Sequence, residues 1–230
     1  PGAPVGDHLP TGEGSEWVRS VMVKARDLLA GHEVNVVRSD LGENPATDIW
    51  LWGQGRPSKL ERFDSRYGVS AVLIAAVDLI RGIARTAGID VIDVPGATGY
   101  LDTDYHAKGA AAVRALDLHD VVIVHVEAPD EAGHLGDVAE KIAAIERFDE
   151  HVAGPVLDKL RTFDRWRMLV VPDHPTPVQR KIHTATPPPF CMAGHAIQSV
   201  LQKPFNEDNA RLSNLIINPG YELMEYFLKV

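Results

Sequence analysis

The chain has 230 residues, 45% of them hydrophobic and 24% charged, with a formal net charge of −9. That length can bury a sizeable core as one large domain or two small ones, and the acidic balance argues against a nucleic-acid-binding surface as the main function. No apolar run approaches the roughly 20 residues of a membrane span, no secretory signal pattern is present, and the single cysteine, Cys191, excludes an intrachain disulfide and points to a reducing, cytoplasmic compartment.

Residues 1–14 (PGAPVGDHLPTGEG) read as loop, and nothing in them has the character of the first strand of an α/β domain. The sequence is therefore expected to begin inside something longer. Residues 14–32 read as a helix: Ser15 is a good N-cap, Val18, Val21, Met22, Ala25, Leu28 and Leu29 fall at helical spacing, and Gly31 is a stop. Residues 34–38 and 49–52 (IWLW) are predicted strands, which with the helix make a small α+β unit. A boundary is expected between Gly55 and Tyr67, where Arg56, Lys59, Arg62 and Arg66 crowd a polar run. Such a run is either a solvated linker or a hold for an anionic substrate group, since arginine offers phosphate a two-pronged fork.

From Val69 the pattern alternates. Strands are predicted at 69–77, 89–94, 121–126 and 167–172. Helices are predicted at 78–87, 105–116, 137–148 and 152–161, with another from about Pro219. Strands alternating with helices imply a mostly parallel, layered sheet. In the loop 95–105, Asp102, Thr103 and Asp104 serve as caps, and Asp102 and Lys108 read as structural.

Residues 121–137 (VVIVHVEAPDEAGHLGD) change character within a few positions, from a β-branched apolar run to a loop rich in carboxylates. In open α/β sheets sites lie just past the carboxyl ends of strands. Asp130 and His134, four apart, can converge on one point; alternatively, Asp130 is a helix N-cap and His134 a surface residue. The same ending recurs after 167–172, in Asp173 and His174, and His183 follows nine residues later. Two Asp and three His suit a borderline divalent metal, whereas one at a time Asp173 reads as a turn former and His183 as a loop histidine.

The motifs EAPDEAGHLGD, PDHPTP and HTATPPPF occur in this order, with ENPATDIWLWGQG, AVDLIRGIARTAGIDVIDVPGATGYLDTDY and the terminal NPGYELMEYFLKV. Together they resemble the cofactor-independent phosphoglycerate mutases of the archaeal type, within the alkaline phosphatase superfamily, over nearly the whole chain. The resemblance implies an α/β, alkaline-phosphatase-like layered sheet with helices on both faces over 63–230, preceded at 1–62 by part of a small α+β cap domain. It implies two divalent metal ions, Mn²⁺ or Zn²⁺, one held by Asp130, His134 and His183 and the other by Asp173 and His174. It also implies a small phosphorylated substrate, with Arg56 and Arg81 as candidate contacts to its phosphate or carboxylate. The family's nucleophilic serine sits in a motif that none of these serines occupies, so this chain alone is expected to be inactive. Relatives named homoserine kinase share the motifs, so another phosphoryl transferase remains an alternative, as does a metal-binding module without catalysis. Oligomeric state is not legible.

Overall fold

The computed structural model describes residues 4–53, 55–56, 59–199 and 201–229. The chain divides into two compact units, Pro1–Ser58 and Lys59–Val230.

The first unit is helical among its described residues. A 3₁₀ turn at Val5–His8 precedes α1 (Ser15–Ala30) and α2 (Glu33–Asp40). Gly14, at φ 79°, takes the cap position expected for Ser15. Two expectations fail here. Residues 34–38 form the body of a helix instead of a strand, and residues 49–52 carry no regular structure. The β-branched valines at 34, 36 and 37 favour a strand locally, but capping and a buried amide override them. His32 Nδ1 accepts from the Val34 N–H at 3.3 Å. The Asn35 amide donates to the carbonyls of Leu29 and Ala46 at 2.8 and 2.7 Å, and its oxygen accepts from the Ala46 N–H at 2.9 Å. A helix places Asn35 inward and leaves the three valines exposed.

The second unit is layered. It runs α3 (Phe63–Tyr67), β1 (Ala71–Ile74), α4 (Asp78–Thr86), β2 (Asp90–Ile92), α5 (Tyr105–Ala115), β3 (Val121–Val124), α6 (Ala128–Leu135) and α7 (Val138–Phe148). A π turn (Asp149–Ala153) leads into α8 (Gly154–Leu160), then β4 (Arg167–Val170), β5 (Cys191–Gly194), α9 (Glu207–Ala210) and α10 (Leu223–Lys229). Three strands form a parallel sheet in the order β2-β1-β3, with Val72 paired to Asp90 and Val122. The central strand is covered on both faces, so all four of its residues are buried, as its unbroken apolar run requires. Ala71 and Leu73 pack on one face with Phe63, Ile80, Ala84 and the C-terminal Met224 and Leu228. Ile74 packs on the other with Ala111, Ala112 and Val156. Burying Ile74 completely contributes roughly 1.5–3 kcal/mol relative to exposing it. β4 pairs antiparallel with β5, with Leu169 opposite Met192; this two-stranded ladder departs from the expected run of parallel strands. Among the described residues no helix is long and apolar enough to cross a membrane.

One close approach fixes the helical layer. A Cβ on Gly109, in the middle of α5, would stand 1.9 Å from the His151 carbonyl in the π turn. Only glycine lets the two backbones meet there.

Candidate metal centre

The sheet delivers its polar residues at the carboxyl end of β3. The His125 N–H still bonds the Ile74 carbonyl at 2.9 Å, extending the pairing with β1 past Val124, and the chain then turns into α6. Glu127 is the N-cap residue of α6 and Pro129 stands in the first turn, where its missing N–H costs nothing. Asp130 is therefore inside the first turn and not the cap, so its carboxylate is free to face its i+4 partner. Asp130 Oδ2 lies 3.2 Å from His134 Nε2. Gly136, at φ 77°, ends the helix.

The loop after β4 brings the other residues. Asp173 and His174 follow the strand, and His183 returns to the same place. His183 Nε2 is 3.4 Å from Asp130 Oδ1 and 3.0 Å from His134 Nε2. The two imidazole nitrogens thus stand side by side, each faced by a different oxygen of the Asp130 carboxylate, Oδ2 toward His134 and Oδ1 toward His183. Each of these separations is close to the distance of about 3.3 Å between neighbouring ligand atoms around a tetrahedral ion with bonds of 2.0–2.1 Å. His174 Nε2 is 3.3 Å from Asp173 Oδ2, and its ring stands against that of His183, centroids 3.7 Å apart and planes tilted by 33°. One potential ligand atom from each of Asp130, His174 and His183 lies within 4.8 Å of the others.

The donor set has the chemistry a cation needs. His134 Nδ1 is 2.9 Å from the Lys181 carbonyl, a group that only accepts, so Nδ1 carries the proton. In the neutral ring Nε2 is then bare, and it faces a carboxylate oxygen and another imidazole. Three electron-rich groups turned toward one point, with a histidine oriented by a backbone carbonyl behind it, is the arrangement of a metal-binding histidine. Lys181 holds its carbonyl there from a left-handed conformation, φ 56°, which a non-glycine residue adopts at a cost and which concentrates at functional sites.

The electrostatics of the rim are acidic. Glu127, Asp130 and Glu131 also gather within 4.8 Å. Burial pushes the Glu127 carboxyl above the usual range; His125, 3.2 Å away, opposes that, while the charges of Asp130, Asp173 and Glu131 add to it. Beneath lies Lys108, 1% exposed, its ammonium 3.2 Å from the Thr98 carbonyl and 3.4 Å from that of His125. Burial pushes this ammonium down, against the pull of Glu127.

Of the two arginines named from the sequence, Arg81 is bonded to other partners. Arg81 Nη2 is paired with Asp93 Oδ1 at 2.5 Å, and Nη1 bonds the Ala75 carbonyl at 3.1 Å. It fastens the ends of β1 and β2. Arg56 is exposed in the first unit. The sequence reading missed Thr176 and Lys181, which carry no ligand chemistry but touch the residues that do, and Lys141, which bonds the Thr176 carbonyl.

A layered α/β unit with carboxylates and imidazoles converging past its strand ends has the donor set of a metalloprotein. Residues 21–218 match the family model described as the metalloenzyme superfamily, and the chain belongs to that superfamily. It is similar to the 2,3-bisphosphoglycerate-independent phosphoglycerate mutase 2 of Methanothermobacter thermautotrophicus, at 46% identity over 228 residues, 99% of this chain and 56% of the relative. It is also similar to a probable 2,3-bisphosphoglycerate-independent phosphoglycerate mutase of Geobacter sulfurreducens, 44% identical over 223 residues, 96% of this chain and 56% of that one. The solved structure of the PH0037 protein from Pyrococcus horikoshii superposes with a TM-score of 0.74 at 31% identity, over 89% of this chain and 54% of that one. The chain spans about half the length of the curated relatives it matches.

Proposed function

We propose that these residues serve a cofactor-independent phosphoglycerate mutase, which interconverts 3-phosphoglycerate and 2-phosphoglycerate by way of a phosphoserine. The observation that carries this reading is the convergence of the Asp130 carboxylate with the His134 and His183 imidazoles, in a chain 46% identical to a protein of that name. Asp130, His134 and His183 hold one divalent cation, and Asp173 with His174 hold a second. Mixed nitrogen and oxygen donors of this kind suit Mn²⁺ or Zn²⁺. Such ions neutralise the charge of a phosphate monoester and lower the pKa of an attacking hydroxyl.

The protein's own part is positioning, because phosphoryl transfer depends far more on charge and alignment than on acid–base chemistry. The backbone of Lys181 orients His134, and the turn at Glu127 presents Asp130. Arg56 and Arg81 are the candidates to receive the anionic groups of the small phosphorylated substrate. For Arg81 this means exchanging Asp93, whose side chain is 78% exposed, for the substrate's charge. The unit Lys59–Val230 is read as catalytic core of the alkaline phosphatase type and the first unit as part of a cap, working in the cytoplasm.

The test is a chimera in which these 230 residues replace the matching segment of the Methanothermobacter thermautotrophicus relative. With Mn²⁺ it is expected to form 2-phosphoglycerate from 3-phosphoglycerate in an enolase-coupled assay. Product from ATP and homoserine alone overturns the mutase reading in favour of a kinase, and no turnover with either substrate pair, despite bound metal, in favour of a binding module.

A further inference from the structure

Thr176 is 3% exposed and sits between two prolines in the loop that follows β4. Pro175 and Pro177 have no N–H, so this stretch is fastened through its carbonyls and one hydroxyl. The Pro175 carbonyl accepts from the Thr184 N–H at 3.0 Å, and that of Pro177 from Arg180 and Lys181, both at 2.9 Å. The Thr176 carbonyl accepts from Lys141 Nζ on α7 at 2.7 Å. The Thr176 hydroxyl bonds Asp130 Oδ1 and lies 3.4 Å from His174 Nδ1. Gly133 on α6 makes room for this contact: a Cβ there would be 2.5 Å from the Thr176 carbonyl oxygen.

We infer that Thr176 is a positioning residue that couples the two cation-binding groups, its hydroxyl donating to Asp130 of the first and accepting from His174 of the second. The inference rests on the two-cation reading above. A hydroxyl has one proton to give and two lone pairs. A carboxylate can only accept, so the proton goes to Asp130. A lone pair then faces His174 Nδ1, and the contact attracts only if that nitrogen carries the ring proton. His174 Nε2 is left bare, 3.3 Å from Asp173 Oδ2. The hydroxyl thereby settles a choice that proximity alone leaves open. His174 also stands near Asp130 and His183, but its lone pair is directed to the Asp173 group. Lys141 is the anchor of this arrangement: it ties the carbonyl of the same residue to α7 and keeps the loop seated on α6.

The purified 230-residue protein tests this with Mn²⁺ and Co²⁺ as probes. Thr176→Val keeps the shape and removes the hydroxyl. It is expected to weaken Mn²⁺ binding by about 10- to 100-fold, the usual cost of losing a partner behind a ligand, and to change the visible absorption of bound Co²⁺. Thr176→Ser restores both, which a merely structural role for the side chain does not predict. Lys141→Met, which leaves every ligand and the hydroxyl in place, is expected to weaken binding in the same direction and serves if the valine variant does not fold. Binding and Co²⁺ spectra unchanged in Thr176→Val and in Lys141→Met overturn the inference and leave the metal centre standing. If the wild-type protein binds neither cation, the two-cation reading falls by itself. Long-range ¹H–¹⁵N spectra of the metal-free protein then decide the remaining part: a proton on His174 Nδ1 supports the hydroxyl relay, and a proton on Nε2 overturns it.

Discussion

His134 and His183 meet nitrogen to nitrogen, Nε2 to Nε2 at 3.0 Å, across a gap that Asp130 closes from a third side. His134 already donates its Nδ1–H to the Lys181 carbonyl. Its remaining nitrogen therefore has no donor role to play in the neutral ring, and a cation satisfies all three groups at once. His134→Ala is expected to lower Mn²⁺ affinity by more than about 100-fold, since loss of an outer partner alone costs 10- to 100-fold. Isothermal titration of the purified chain, with metal content checked by elemental analysis, reads this directly. Unchanged content removes His134 from the ligand set.

Two helical glycines should respond in opposite directions. Gly82 in α4 has nothing within 4 Å of where a Cβ would stand, so Gly82→Ala is expected to stabilise by about 0.5–1 kcal/mol through helix propensity alone. Gly109 in α5 faces the His151 carbonyl at 1.9 Å from the same point. Gly109→Ala must push α5 off the π turn and is expected to destabilise by about 1–3 kcal/mol. Urea melts of the two variants check the pair; a stabilised Gly109→Ala refutes the close packing of these backbones.

Lys108 gives a pH signature. Burial lowers its pKa below the ordinary lysine value. Between the folded and ordinary values the unfolded chain binds more protons, so stability rises with pH across that window. Below it the buried ammonium carries its full desolvation cost, and above it the folded amine is neutral. Lys108→Met has no such group. The stability of wild type minus that of Lys108→Met is therefore expected to grow from pH 7 toward pH 10, by about 1.4 kcal/mol per unit of depression. Paired denaturation curves at the two pH values measure it, and a flat difference counts against an ammonium buried at this position.

Asn35 organises the first unit. Its amide makes three bonds to the backbone of Leu29 and Ala46, and Asn35→Ala leaves those groups without partners, at a cost of about 1–3 kcal/mol. Amide exchange should rise at Ala46, whose N–H bonds the Asn35 oxygen, and protection kept there contradicts this role.

The second unit was legible because its signals are local and agree with one another. The apolar run at 121–126 marks its strand, whereas the carboxylate-rich stretch after it, read as loop with a helix start as the alternative, forms α6. The alternation of strands and helices from Val69 onward likewise predicts the three parallel strands with helices on both faces. The short β5, four residues with a glycine at its end, has no periodicity to read, and its partner lies across a long loop. In the first unit, residues 34–38 misled because three valines speak for a strand while the deciding bonds come from Asn35 to residues up to eleven positions away. The candidate site shows the same split. Asp130, His134, Asp173, His174 and His183 announce themselves by side-chain chemistry. Thr176, Lys141 and Lys181 act through a hydroxyl, an ammonium tied to a carbonyl, and a carbonyl, all at long sequence separation. No residue type marks such roles in advance.

The π turn at Asp149–Ala153 sets how this chain tolerates changes of length. It accommodates one residue more than an α-helical turn would, between α7 and α8. Deleting a single residue there would let the two helices run on as one, and each residue removed rotates everything downstream by about 100°. Val156 would then swing away from Ala111 and Ala112, the residues it packs against behind Ile74. The segment thus acts as a phase adjuster, and its residue count, more than the identity of its side chains, keeps α8 facing the sheet.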